Sequence, residues 1–293
     1  MTAGPDIRGF FDDQTNTITY LVSDPGTRRA VVIDPVLDYD PADGTVDTRS
    51  AQKVLETAAE LGLTITHALE THAHADHLSA APLFKAKTGA VIGIGAHIRD
   101  VQKVFRPMFA AEDLKVDGSD FDLLLSDGDR ISIGELELEV IETPGHTAAD
   151  VSYKVGDAVF VGDTLFMPDF GTARTDFPGG DARQLYRSIH KLLELPPETR
   201  LFMCHDYKAP GRDEYRWETT VADERRNVHL AACVTEDEFV KMREARDATL
   251  ATPKLLLPSI QVNIRAGRLP PAEENGVSYL RIPVRFKEGA QLA

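Results

Sequence analysis

The stretch ETHAHADHLSAA, Glu70–Ala81, places His72, His74, Asp76 and His77 within six residues. The chain of 293 residues has nine histidines; three fall in this window, and His67 lies just upstream. Three neutral imidazoles beside an aspartate gain nothing from core packing, because buried polar groups must find partners. Imidazole and carboxylate are ligands that first-row metals take. The segment before the cluster, LTITHALET (63–71), predicts a strand, and the one after it, SAAPLFKAKTG (79–89), predicts a helix with Ser79 as N-cap. In extended geometry His72 and His74, two residues apart, lie on the same side.

Working outward, three more metal-type residues sit where predicted strands end. His146 stands in TPGHT after the strand pair of DRISIGELELEVIETPGH (129–146). Asp163 stands in FVGDT within DVSYKVGDAVFVGDTLF (150–166), which predicts two strands. His205 stands in MCHDY at the end of RLFMCHDY (200–207). Gly145 and Gly162 permit the turns that aim the following residues inward. Alone, each of these is a turn or a hydrogen-bonded core histidine; with the cluster at 72–77 they make one ordered set. His67, His97, His190 and His229 are assigned structural roles, His190 on an amphipathic helix over 181–195. Cys204, beside His205, is expected to be a buried strand cysteine and not a nucleophile.

The remaining segments repeat one theme. TITYLVSD (17–24) and RAVVIDPV (29–36) predict a hairpin, RSAQKVLETAAELG (49–62) a helix ended by glycine, and AVIGIGA (90–96) a strand. Residues 215–227 and 235–247 predict polar-faced helices, and the tail from Thr249 is rich in Pro, Arg and short apolar pairs. Packed sheets with helices outside suit this order, and strand-end loops are where functional residues collect.

Composition narrows the partners. The net charge of -15 opposes nucleic acid and anionic membranes, so neither is expected as a partner. An anionic small substrate would need local arginines. Two cysteines exclude a disulfide framework, and no signal-like or membrane-length apolar run is present, so a cytoplasmic location is expected.

THAHADH, PGHT, GDTLF and CHDY, in this order, resemble the metallo-β-lactamase fold superfamily over roughly residues 10–230. The resemblance implies an α+β chain: an αββα sandwich of two packed mixed β-sheets flanked by helices, with a metal site at one sheet edge. It implies a catalytic domain over 1–235 and a C-terminal extension over 236–293 packed on it. In glyoxalase II-type hydrolases, matching residues bind two metals. Here His72, His74 and His146 would hold one, and Asp76, His77 and His205 the other, with Asp163 bridging.

A narrower likeness changes the chemistry. ARTDFPGG (173–180) and the tail over 236–270 resemble persulfide dioxygenases related to the human ethylmalonic encephalopathy protein, and a bacterial subgroup called β-lactamase-like hydrolases. That family holds a single Fe(II), here implied on His72, His146 and Asp163, with His74, Asp76, His77 and His205 around it. The implied reaction oxidises glutathione persulfide, or a similar small persulfide, with O2 to sulfite and thiol. The alternative is a hydrolase of thioesters or lactones with two Zn(II). Arg174 is the candidate for a substrate carboxylate, with the other possibility that it only ties its loop to Asp176; Tyr207, Arg212 and Arg216 are further candidates. MPDFGTA makes the loop before Arg174 slightly longer than in the human-type enzyme. A homodimer using the tail is also expected.

Overall fold

The hairpin predicted near the N-terminus sits inside the first sheet of the computed structural model, which describes residues 4–233 and 235–286. Strand β2 (Thr17–Ser23) pairs antiparallel with β1 (Asp6–Asp12) and with β3 (Arg29–Ile33). Pro35 follows β3 and lacks the N–H that the ladder needs, and the chain leaves this sheet. Strands β4 (Val36–Asp40), β5 (Thr45–Asp47) and β7 (Leu78–Ser79) form a small separate sheet. Beyond β3 the first sheet continues parallel through β6 (Thr64–Leu69), β8 (Val91–Gly95) and β9 (Leu123–Leu125). Parallel neighbours need long crossovers. Helices α1 (Arg49–Glu60), α2 (Ala81–Thr88) and α3 (Ile98–Met108) lie in them.

The second sheet runs β10 (Arg130–Ile133), β11 (Leu136–Glu142), β12 (Val151–Val155), β13 (Ala158–Phe160), β14 (Arg200–Phe202) and β15 (Glu218–Thr220). Only β13 and β14 pair parallel, and α4 (Ala182–Leu193) is their crossover. Asp181 caps α4 by accepting from Arg183 N and Gln184 N. Short helices α5 (Val221–Glu224) and α6 (Val228–Ala231) follow, then α7 (Glu236–Asp247) and α8 (Leu256–Asn263).

Alternation along the strands divides the apolar side chains into layers. Ile18, Tyr20, Ile33 and Leu69 meet Ile133, Val140, Tyr153 and Phe160 between the sheets. Leu21, Val32 and Ile92 pack outward on Val54, Phe84, Phe105 and Ile260 of α1, α2, α3 and α8. Val159 and Leu201 pack on Leu185 and Ile189 of α4 and Phe239 of α7. The result is the αββα sandwich with two mixed sheets.

Three local expectations are corrected. Residues 215–227 are not one helix. Pairing with β14 takes Glu218–Thr220 into the sheet, and only one turn of helix follows, capped by the Thr220 hydroxyl. Ser79 belongs to β7; the N-cap position of α2 is Ala80, although the Ser79 hydroxyl still accepts from Ala81 N at 3.1 Å. The segment holding His72 and His74 is a bent loop between β6 and β7, not extended chain. Helix α8 lies in the tail that showed only Pro, Arg and apolar pairs; its Pro258 falls in the first turn, where a missing N–H costs little.

Candidate metal centre

The loops after β6, β11, β13 and β14 bring His72–His77, His146, Asp163 and His205 to one edge of the sandwich. Close approaches fix two of these loops. Gly145 has φ +147, and a Cβ there would lie 2.3 Å from Leu185 N of α4. Gly162 has φ +53, and a Cβ there would lie 2.8 Å from Thr71. A side chain at either position would push its loop, and His146 or Asp163 beside it, out of place.

Ligand atoms of His72, His146 and Asp163 lie within 4.8 Å of one another, and so do those of His74, Asp76 and His77. Asp163 stands between histidines, with Oδ2 3.6 Å from His146 Nε2 and 4.0 Å from His72 Nε2, and Oδ1 3.4 Å from His205 Nε2. Asp76 Oδ2 is 3.3 Å from His205 Nε2. The seven residues singled out in the sequence are therefore neighbours.

The hydrogen bonds of the rings test whether this set fits a metal. In each ring one nitrogen has a partner outside the cluster or at its rim, which leaves the other for the centre. His72 Nδ1 meets Thr71 Oγ1 at 3.0 Å, and His146 Nδ1 donates to the Arg174 carbonyl at 2.7 Å. His74 Nε2 lies 3.0 Å from Asp34 and 3.2 Å from Glu70. His205 Nδ1 meets Asn16 O and Thr17 Oγ1, both at 3.3 Å, and His77 Nδ1 makes longer contacts, 3.5 Å, to Asp76 and Thr17. The opposite atoms, His72 Nε2, His74 Nδ1, His77 Nε2, His205 Nε2 and Asp163 Oδ1, are buried without a hydrogen-bond partner. Orphaned buried polar atoms are rare and call for an explanation. Ligand-type atoms turned to one point, with outer partners holding each ring, are the arrangement a metal requires.

Charge follows the same plan. Burial, with His74 and His146 nearby, holds His72 well below the ordinary histidine range, so its imidazole is neutral, as a metal ligand must be. Enclosure pushes Asp76 up, but His205 and His77 outweigh it and keep it an anion. Burial would lower His74, but Asp34 and Glu70 raise it well above 6.5. Asp34 itself is held low by His74 against its burial. Cys204 lies near His74 and His205, yet burial first, and then Asp34, Asp163 and Asp76, push its thiol well up. It is a neutral thiol and not an activated nucleophile.

A cavity of about 670 Å³ opens onto Asp76, His77, His146 and Asp163. Phe166, Phe170, Phe177 and Tyr207 form much of its wall. Tyr207 stacks on His205 with ring centres 5.5 Å apart. Arg174 also lines the cavity, but its guanidinium is held by Asp176 at 2.6 and 2.7 Å and by the Ala251 carbonyl at 2.7 Å. Arg212 and Arg216 lie outside it. Arg212 is clamped between Asp169 and Asp206, and Arg216 pairs with Glu214. His229, read as structural, accepts from Thr172 N and lines the cavity as well. Two cations on this wall escaped the sequence reading: Arg246 and Lys254 form no ion pair among the described residues. Arg246, exposed at the cavity's rim, is near enough for its charge to press on His229 and Arg243. Asp34 was missed too; its place before Pro35 looks like an ordinary turn.

Comparison with known proteins places this geometry. The model of the metallo-β-lactamase superfamily matches residues 13–205. The chain is 55% identical over 290 residues to a Burkholderia pseudomallei (strain 1710b) protein named "Probable metallo-hydrolase", covering 95% of this chain and 98% of that one. It is 31% identical over 264 residues to the mitochondrial persulfide dioxygenase ETHE1 of Homo sapiens, covering 89% and 88%. The crystal structure of ETHE1 from Myxococcus xanthus superposes with a TM-score of 0.72 at 35% identity, covering 90% of this chain and all of that one.

Proposed function

The chain belongs to the metallo-β-lactamase superfamily, and from that premise we propose that it is an iron-dependent dioxygenase of glutathione persulfide or a similar small persulfide. The observation that carries the proposal is the group His72, His146 and Asp163. Two histidines and one carboxylate leave coordination positions open, as non-haem Fe(II) oxygenases require. The likeness to ETHE1 of Homo sapiens and of Myxococcus xanthus supports the same branch. Fe(II) held there would supply the redox chemistry and the open positions for O2 and the substrate sulfur.

The chain's own residues do the rest. In balance, the persulfide, one O2 and one water give thiol and sulfite; the terminal sulfur is oxidised, O2 is reduced, and the sulfur–sulfur bond breaks toward the thiol. His146 is turned to the centre by the Arg174 carbonyl, and His72 by Thr71. Phe166, Phe170, Phe177 and Tyr207 give the reacting end an apolar wall. Arg246 and Lys254 offer uncommitted cations to substrate carboxylates on a chain that otherwise repels anions.

A second reading, a two-Zn(II) hydrolase of thioesters or lactones, is favoured by the group His74, Asp76 and His77 and by the likeness to a metallo-hydrolase. The separating experiment is O2 uptake by the Fe(II)-loaded protein with glutathione persulfide, beside a thioester assay of the Zn(II)-loaded protein. Iron-dependent uptake with sulfite formation supports the dioxygenase. Zinc-dependent hydrolysis without uptake overturns it.

A further inference from the structure

We infer that the C-terminal helices α7 and α8 are part of the mounting of the metal centre, with Asn263 and the Arg243–Asp247 pair as positioning residues for two ligand-bearing segments. The inference rests on the metal centre and not on the reaction assigned to it.

Asn263 ends α8 and is 4% exposed. Its Nδ2 donates to the carbonyls of His74 and His77, both at 2.8 Å, and its Oδ1 accepts from Ser79 N at 2.9 Å. One side chain thus holds both ends of the loop that carries His74, Asp76 and His77. The chain after α8 stays against this loop: Gly267, at φ +80, would bring a Cβ to 2.7 Å from Ser79 O. An apolar residue at 263 would fill the space but strand three buried backbone groups.

The second contact is made by α7. Arg243 and Asp247 are 2% and 3% exposed and pair one turn apart, Nη2 to Oδ1 at 2.6 Å. Arg243 Nη1 donates to the Thr172 carbonyl at 2.9 Å, and Asp247 Oδ2 accepts from Thr175 N at 2.8 Å and Thr175 Oγ1 at 3.1 Å. Between these anchors lies Arg174, whose carbonyl receives His146 Nδ1. A buried ion pair adds little to stability over an apolar pair of equal volume. Apolar packing cannot supply direction, and direction is what this pair gives to the segment that orients His146. The C-terminal extension therefore grips the site twice, once behind the histidine loop and once behind His146.

The test compares Asn263→Ala and Asp247→Asn with Arg268→Ala, an exposed residue of the same extension that pairs with Asp120 and touches neither segment. Zn(II) affinity is read by chelator competition, ligand geometry by the Co(II) absorption spectrum, and folding by melts of the metal-free proteins. Both positioning variants should raise the Zn(II) Kd roughly ten- to a hundredfold and alter the Co(II) bands, while Arg268→Ala stays within about twofold. Variants that melt lower yet keep Kd within about twofold, with an unchanged Co(II) spectrum, would overturn the inference. A variant that fails to fold is covered by the native protein. Coupling is reciprocal, so Zn(II) must slow amide exchange in residues 236–247 and 256–263. Protection confined to the ligand loops would equally refute it.

Discussion

Asp34→Asn tests the hydrogen-bond logic of the site with one atom changed. Asp34 accepts from Thr71 N at 2.7 Å, Thr71 Oγ1 at 2.9 Å and His74 Nε2 at 3.0 Å. Its φ of +51 is one that asparagine also adopts, so the backbone has no reason to move. Two donors share Oδ1, so the amide oxygen stays there and the new NH2 faces the Thr71 hydroxyl. That hydroxyl can no longer donate to residue 34; it turns toward His72 Nδ1 and drives the ring proton onto Nε2, the atom meant for the metal. His74 Nε2 keeps its acceptor on the amide oxygen of residue 34. A charge-assisted hydrogen bond is worth about 1.5–3 kcal/mol, which corresponds to roughly ten- to a hundredfold weaker metal binding. Chelator competition measures it, with far-UV circular dichroism to check the fold. A folded variant whose metal Kd stays within about twofold of the native value would refute the tautomer relay.

Other consequences separate further parts of the account. Asp76→Ala should leave one bound metal and reduced but measurable O2 uptake; total loss of activity together with loss of one metal, by metal analysis, would favour the hydrolase. The double variant Arg246→Ala/Lys254→Ala should raise KM for glutathione persulfide by roughly tenfold or more with kcat within about twofold. An unchanged KM would remove these cations from substrate binding. Glu224, buried beside Asn227, is raised by that burial to about 8 from 4.5. The folded chain therefore holds a proton that the unfolded chain has lost between these values. The stability this group contributes is fully present below pH 4.5, falls as pH rises through the window, and levels off above 8, by an order of several kcal/mol at about 1.4 per unit. Glu224→Gln should flatten this slope in urea denaturation and be more stable than the native chain at pH 8.

What the sequence revealed was what is local. His72, His74, Asp76 and His77 are close in the chain, and His146, Asp163 and His205 each follow a strand with turn chemistry beside it. Asp34 was illegible because it reaches His74 across forty positions, through the pairing of β3 with β6. Arg174 looked like the substrate anchor because a sequence cannot show that Asp176 and Ala251 already occupy its guanidinium; the freedom of Arg246 and Lys254 is hidden for the same reason. Residues 215–227 have helical composition, but pairing with β14 outweighs propensity there. The polar face read on 235–247 conceals a buried stripe, Phe239, Arg243 and Asp247, that only packing discloses.

His74 is where the two chemistries part. Burial would pull it down, but Asp34 and Glu70, both on Nε2, hold it well above 6.5. At neutral pH a proton therefore sits on Nδ1, the atom that faces the cluster without a partner. With one metal on His72, His146 and Asp163, this Nδ1–H is a cationic donor pointing at the place where negative charge collects. A second metal on the group His74, Asp76 and His77, instead of the division the glyoxalase II likeness implies, must displace that proton, because a ligating histidine is neutral. The number of metals thus becomes a function of pH. His72 is already neutral, so it adds no proton to those released when the first position fills. Affinity at the second should strengthen as His74 loses its proton. Zn(II) titrations at about pH 6 and about pH 9, read by calorimetry with proton release followed in two buffers, measure both. A second site that binds without releasing a proton, or that binds equally at both pH values, would show that His74 is not the gate between one metal and two.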